Sequence, residues 1–326
     1  MADHADDNFF DGDIFVYRGG RAPQHVHVTH ARIDKSINEI EEDAFDECVH
    51  LLQVDTHDGL RKIGRMAFYY CDSLRRINLK SVVQIDEQAF YSCIRLESVE
   101  FGDRLETIGT SAFSGCPLKH LKLPSLITIG RLAFDDCRDL IDIELSERIE
   151  IIGALAFWGC DRLQRIAVPL KRDLFVYDTN NEEYNQFDDC HRLTTVDLVG
   201  GIHKTVASLH MELWTTEMIE EINRINKVLP IIHADDKTNE IIQWMDSVMD
   251  KMNHYKAEHL RYVKEGVTLL ELALWKAKLD EKEGCECEEG RTKKAEVHVE
   301  NARKDKRMIC GADMVINNVL PFLQLE

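Results

Sequence analysis

Residues 60–79, LRKIGRMAFYYCDSLRRINL, carry the pattern that most restricts what this chain can fold into, because the chain repeats it. Phe stands at 45, 68, 90, 113, 134, 157 and 187, and Cys follows three residues later at 48, 71, 93, 116, 137, 160 and 190. Successive Phe residues are spaced by 23, 22, 23, 21, 23 and 30. A fixed period in the twenties marks a solenoid, in which one unit cannot bury its apolar face alone and must stack on its neighbours.

Each repeat position has a physical role. Leu74, Ile77 and Leu79 form L-x-x-I-x-L, whose alternating part suits a strand with one buried face. Stacked copies predict a parallel sheet. Leu60-x-x-Ile63 supplies a second apolar edge further round the coil. Gly64, repeated at 109, 130 and 153 but replaced by Asp86 and Glu41, is expected to make a tight bend through positive φ. Ala67-Phe68 reads as a short helical turn whose ring fills the space between coils. The recurring Cys suits a small buried hydrophobe better than a redox or metal row, since no cation recurs beside it.

The pattern L-x-x-I-x-L with I-G-x-x-A-F-x-x-C resembles the BspA-type leucine-rich repeat family over about residues 28–200, in six near-complete copies and a degenerate seventh. The resemblance implies an α/β-type repeat solenoid, with a parallel β ladder and short helical turns, that serves in binding or adhesion and carries no catalytic residue. Two departures stand out: a shortening at Cys116-Pro117-Leu118 and the long gap before Phe187. The final CGADMVINNVLPFL resembles, more weakly, the tails of protist members.

The chain divides into an N-terminal cap (1–36), the solenoid (37–201) and an α-helical domain (202–326). In the cap, Ile14–Tyr17 and Val26–Thr29 are β-prone runs expected to pair as a hairpin across Gly19, Gly20 and Pro23. Val28, Ala31 and Ile33 read as a zeroth repeat strand. Residues 169–186 enlarge the last coil, and their Phe175, Tyr177 and Tyr184 could either bind or pack. Trp214, Met218, Ile222, Ile225 and Leu229 lie on one helical stripe ended by Pro230. A second helix, 237–265, carries Ile241, Met245, Val248, Met252, Tyr255, His259 and Tyr262 at heptad spacing. Gly266 is expected to end it, and Thr268-x-x-Glu271 to cap a third helix over 269–281. A fourth stretch spans 293–309. Short links favour packing of these helices in one bundle over homo-oligomerisation.

Net charge is −19, and residues 201–326 hold 23 acidic against 18 basic side chains, so −14 falls on residues 1–200. Such a surface opposes non-specific nucleic-acid or anionic-membrane binding. The acidic start MADHADDNFFDGD lacks a signal-peptide pattern, no run reaches 18 apolar residues, and no Asn-x-Ser/Thr occurs. The expectation is an intracellular, cytoplasmic protein, with the nucleus left open by Arg303-Lys-Asp-Lys-Arg307.

No nucleophile–base pair, phosphate loop or H-E-x-x-H motif occurs, so neither catalytic residues nor a cofactor are expected. His25 and His27, near His30, share by strand spacing a face expected to be solvated, Cys285, Cys287, His298 and Cys310 lack the spacing of a structural zinc site, and no metal is expected. The residues flanking Ile in each strand point away from the core. They are Gln53 and Asp55, Arg76 and Asn78, Ser98 and Glu100, His120 and Lys122, Asp142 and Glu144, Arg165 and Ala167, and Thr195 and Asp197. These charged and polar positions are the expected contacts for a protein partner on the concave strand face, and Phe175 and Tyr177 of the insertion are candidate contacts beside them. The reading is a non-catalytic interaction module; the alternative is a surface or adhesive repeat protein.

Overall fold

The repeated alternation of apolar and polar residues becomes a stack of coils. The structure, a computed structural model, describes residues 9–23, 27–176, 185–199 and 212–284, with backbone alone at 9, 212–215, 256, 259, 273 and 277–284. In chain order the strands begin with β1 (Phe9–Asp11), β2 (Ile14–Tyr17), β3 (His30–Ile33), β4 (Glu39–Ile40), β5 (Gln53–Asp55), β6 (Lys62–Ile63), β7 (Arg76–Leu79) and β8 (Gln84–Ile85). There follow β9 (Ser98–Phe101), β10 (Thr107–Ile108), β11 (His120–Lys122), β12 (Thr128–Ile129), β13 (Asp142–Glu144), β14 (Ile151–Ile152), β15 (Arg165–Val168) and β16 (Thr195–Leu198).

Three ladders run through the coils. The L-x-x-I-x-L strands pair in parallel, β2-β3-β5-β7-β9 and then β11-β13-β15-β16. The break between β9 and β11 falls at the coil shortened by Cys116-Pro117-Leu118, where proline also removes a donor. The second apolar edge gives the two-residue strands β4, β6, β8, β10, β12 and β14, again parallel.

The third ladder is built from the A-F-x-x-C segment, and it is not a helix. Phe68 N–H donates to the Ala89 carbonyl at 2.8 Å, Met66 N–H to Glu87 and Tyr70 N–H to Tyr91, both at 3.0 Å. The pattern recurs at Phe90, Phe113 and Phe134. It requires positive φ two residues before and two after the Phe, as at Met66 (51°), Tyr70 (51°), Gln88 (55°) and Ser92 (55°). The bend expected at Gly64 is therefore elsewhere. Gly64, Gly109, Gly130 and Gly153 have ordinary φ; a Cβ on Gly109 would sit 2.6 Å from the backbone of Asp86 and Glu87. Close approach of coils, not turn geometry, selects glycine there.

Inside the coils the seven Phe rings form one column. Six successive pairs have centroids 5.0–5.6 Å apart and planes within 8° of parallel. Burying each ring contributes about 1.5–3 kcal/mol. From Cys71 to Cys190, each of the six Cys donates its thiol to the Phe carbonyl one coil back, as Cys93 Sγ does to Phe68 O at 3.1 Å. Burial pushes the Cys71, Cys93 and Cys116 thiols well up, so they are not thiolates.

The N-terminal cover differs in one respect from the sequence expectation. The hairpin is β1 with β2, turning at Gly12 (φ 63°), and β2 then pairs in parallel with β3. Phe15 and Tyr17 lie against Phe45, and the Tyr17 hydroxyl accepts the Glu41 N–H at 3.2 Å. Burial pushes that phenol up to about 12.

Two α-helices follow, α1 (Glu212–Val228) and α2 (Lys237–Gly284). The described residues through Asp250 form one compact unit, and those from Lys251 belong to a second. In the first unit Met218, Ile222, Ile225 and Leu229 are buried together with Ile241, Trp244, Met245 and Val248. Here the helices close the last coil. Lys237, 2% exposed, donates through Nζ to the carbonyls of Cys190, His191 and Leu193 at 2.8–2.9 Å. Thr238 Oγ1 accepts the Phe187 N–H at 3.1 Å, and Asn226 Oδ1 the Val196 N–H at 2.8 Å.

Helix α2 does not stop at Gly266. It continues to Gly284, and Thr268 donates its hydroxyl to the Lys264 carbonyl at 2.9 Å instead of capping a new helix. A single mid-helix Gly costs only about 1 kcal/mol, and Thr satisfies itself by such back-bonding. The expected heptad stripe is buried at Ile241, Met245 and Val248 but Tyr262 is exposed.

Candidate interaction surface

Outward residues of the strand ladder are held in rows by the parallel register, so each sits beside its counterpart one coil away. His120 pairs with Asp142. Lys122 Nζ lies 3.1 Å from Glu144 Oε1. Arg165 Nε lies 2.7 Å from Asp197 Oδ2. In the earlier coils Arg76 donates to Gln53 Oε1 at 2.6 Å, and Gln53 in turn donates to Asp55 Oδ1 at 2.7 Å. Asn78 Oδ1 accepts the Lys80 N–H at 3.0 Å, and Lys80 Nζ reaches Glu100 at 2.7 Å. Exposed pairs of this kind contribute roughly 0–1 kcal/mol each. Their effect is to cancel charge across the face.

Six of the residues expected at the interface come together around one depression. Gln53, Asp55, Arg76, Asn78, Ser98 and Glu100, with Thr56 and the backbone-side Val54 and Ile77, line a cavity of about 350 Å³ open to solvent. His120, Lys122, Asp142, Glu144, Arg165 and Asp197 lie on the second run of strands, past the β9–β11 break.

Phe175 does not belong to this face. It is 6% exposed, packs on Phe187 at 5.9 Å, and forms a parallel bridge with Ile152. Ile152 N–H donates to Leu174 O at 2.8 Å and Val176 N–H to Ile152 O at 2.9 Å. Leu174–Val176 thus extends the second ladder past β14, a role its apolar run allows. Tyr177 and Tyr184 lie outside the described residues, as do Cys285, Cys287, His298, Cys310 and the basic run 303–307. Among the described residues no group of three His, Cys, Asp or Glu is placed to hold a metal, and no helix is long and apolar enough to cross a membrane.

Two features carry no obvious signal along the strand positions. One is Lys237, a cation with no carboxylate on its Nζ among the described residues, whose burial lowers its pKa. The other is the pair of residues between each Phe and Cys, where Tyr69 stacks on Tyr91 at 5.2 Å with Tyr70 edge-on to both. Aligning the repeats on Phe and reading those two columns would have found the second.

Comparison with known proteins agrees with this architecture. A family model described as "BspA type Leucine rich repeat region (6 copies)" matches residues 24–137, 61–194 and 118–227. A leucine-rich repeat protein of T. pallidum is 26% identical, with TM-score 0.44, over 61% of this chain and 88% of that one. A leucine-rich cell surface protein of Faecalibacterium prausnitzii is 24% identical, with TM-score 0.33, over 52% of this chain and 55% of that one. The pneumococcal vaccine antigen PcpA is 18% identical, with TM-score 0.31, over 52% of this chain and 62% of that one. No curated protein sequence matches at a significant level.

Proposed function

We propose, from the premise that this chain belongs to the BspA-type leucine-rich repeat family, that it is a non-catalytic interaction module that binds a protein partner on its strand face. The family places it among protein-interaction or surface repeat proteins. The observation that carries the finer reading is the depression over the first coils, where Gln53, Asp55, Arg76, Asn78, Ser98 and Glu100 line one cavity. Exposed strand positions of this kind contribute little to folding, so they are free to be tuned for a partner. Charges already paired between coils give orientation and partner choice more than raw affinity.

The reading is tested by affinity capture with the full chain, followed by the same capture with Arg76→Glu and Lys122→Glu. Both variants should melt within a few degrees of wild type while the captured protein is lost. Unchanged capture by every strand-face variant would move the binding site off this face. Residence at a membrane or cell surface, checked by fractionation, decides between an interior partner and an adhesive role.

A further inference from the structure

The second half of α2 carries an apolar stripe that its own helix cannot cover. The sequence pattern predicts two helices joined at Gly266 and packed as antiparallel neighbours. Because α2 runs unbroken to Gly284, those two stretches lie end to end on one axis. The stripe buried at Ile241, Met245 and Val248 does not carry on either. At heptad spacing it reaches exposed Tyr262 and is then interrupted by Gly266 and Lys276. A different set, Leu260, Val263, Val267, Leu270 and Leu274, is spaced by 3, 4, 3 and 4, the alternation of a heptad seam. None of the five is buried, and Leu260, Leu270 and Leu274 are 37%, 62% and 49% exposed. From Leu260 to Leu274 the seam is about 21 Å long.

Charges beside the seam decide what fits on it. Lys264 and Glu271 stand on one edge of it, a heptad apart. Neither has an opposite charge three or four residues away along the helix, so neither can pair within it. Neither makes an ion pair among the described residues, whereas Arg261 and Glu265, away from the seam, pair with each other at 3.8 Å. A second copy of the helix laid antiparallel answers both charges. In that register Val263 faces Leu274 of the second copy and Val267 faces Leu270, so a smaller residue meets a larger one in every layer. Lys264 then lies beside Glu271 of the second copy, and the two-fold axis repeats each contact. A parallel pair would set Glu271 opposite Gly266 and leave its charge unmet.

We propose that residues 260–274 of α2 form the seam of an antiparallel homodimer, with Val267 and Leu270 at its centre and two Lys264–Glu271 pairs on its edges. A dimer carries the strand face twice, which raises avidity for a partner that repeats its site. The seam itself does not rest on the strand-face reading, and either can fail without the other.

The test is light scattering of the full chain from about 1 to about 100 µM. The mass should rise toward twice the 37.6 kDa of one chain. Leu270→Glu, at an exposed position, should keep the helicity and melting temperature and hold the mass at one chain. Lys264→Glu and Glu271→Lys should each weaken association about fivefold, because like charges then meet twice. The double variant Lys264→Glu/Glu271→Lys should restore it to within about twofold, as a coupled pair requires. If Leu270→Glu lowers the melting temperature, the charge series decides. A monomer at every concentration overturns the proposal and means that the stripe is covered within the chain or serves another protein. A dimer that survives Leu270→Glu overturns it by placing the association elsewhere. Single reversals without effect, or a double variant that stays weak, overturn the antiparallel register.

Discussion

The strand face and the turn face of the solenoid are made by one device, a backbone ladder from coil to coil, yet their side chains follow opposite rules. On the strand face a charge usually meets its opposite in the next coil, as Lys122 meets Glu144 and Arg165 meets Asp197. On the turn face, formed by the two residues after each Phe, acids and rings recur with no base among them. A repeat fixes which positions point outward and leaves their chemistry to each coil. What a face is suited to bind is then set by what neighbouring coils leave unneutralised.

The largest expected effect is on what the two faces share. Phe113→Ala removes the fourth ring of the column, between Phe90 and Phe134 at 5.0 and 5.6 Å. It should destabilise by about 3–5 kcal/mol, the usual cost of a cavity left by a lost core ring. Amide exchange should then quicken on both sides of the coil, at Leu121 on the strand face and Gly115 on the turn face. Protection lost only at Gly115 would mean that the two faces unfold separately, and the comparison would be between two modules instead of two sides of one.

A smaller effect separates the faces by pH. Asp188, at a turn position, is 5% exposed, and burial raises its carboxyl to about 6, with Asp235 and Asp189 adding and the Asn185 N–H opposing. A pKa raised on folding means stability that is complete below the unfolded value near 3.8 and is lost as pH rises through about 6. At about 1.4 kcal/mol for each pKa unit this is on the order of 2–3 kcal/mol at neutral pH. Asp188→Asn should therefore raise the melting temperature at pH 7.5 and flatten its dependence between pH 4 and 7. A steeper dependence in the variant would show that Asp188 is held ionised, and that the turn face tolerates its charge better than its burial implies.

The period, the Phe–Cys core and the outward strand residues were legible in the sequence because each depends on side-chain polarity in a fixed register. The turn geometry was not. The residues at positive φ are Met, Tyr, Gln and Leu as well as Asp and Ser, so composition gives no hint of the backbone there. Glycine, the usual sign of such a conformation, holds two of these positions, 115 and 159, and stands as well at 109, 130 and 153, where a side chain would strike the preceding coil. The role of Phe175 stayed open in the sequence for a related reason: an aromatic residue in an insertion looks the same whether it faces out to bind or packs and extends a ladder, as this one does beside Ile152. The continuity of α2 through Gly266 was hidden because a breaker and a capping pattern coincide there, and a hydrogen bond from Thr268 to Lys264 resolves both.

The smallest prediction gives the two faces opposite signs. Two residues before and after the Phe, φ is positive in coil after coil, and most of the residues there are not glycine. Holding an L-residue in that region costs roughly 1–2 kcal/mol, whereas the entropy lost by a glycine costs about 0.5–1 kcal/mol. Gln88, at φ 55° and with a side chain that makes no hydrogen bond among the described residues, is a site where the first cost should outweigh the second. Gln88→Gly should stabilise by about 0.5–1 kcal/mol. Ser98 occupies β9 on the strand face, where backbone is extended and glycine brings only its entropy. Ser98→Gly should destabilise by about 0.5–1 kcal/mol. Urea midpoints measured side by side read both changes at an unaltered slope. If both variants lose stability, the turn residues are unstrained in solution. The third ladder would then be looser than its row of backbone bonds.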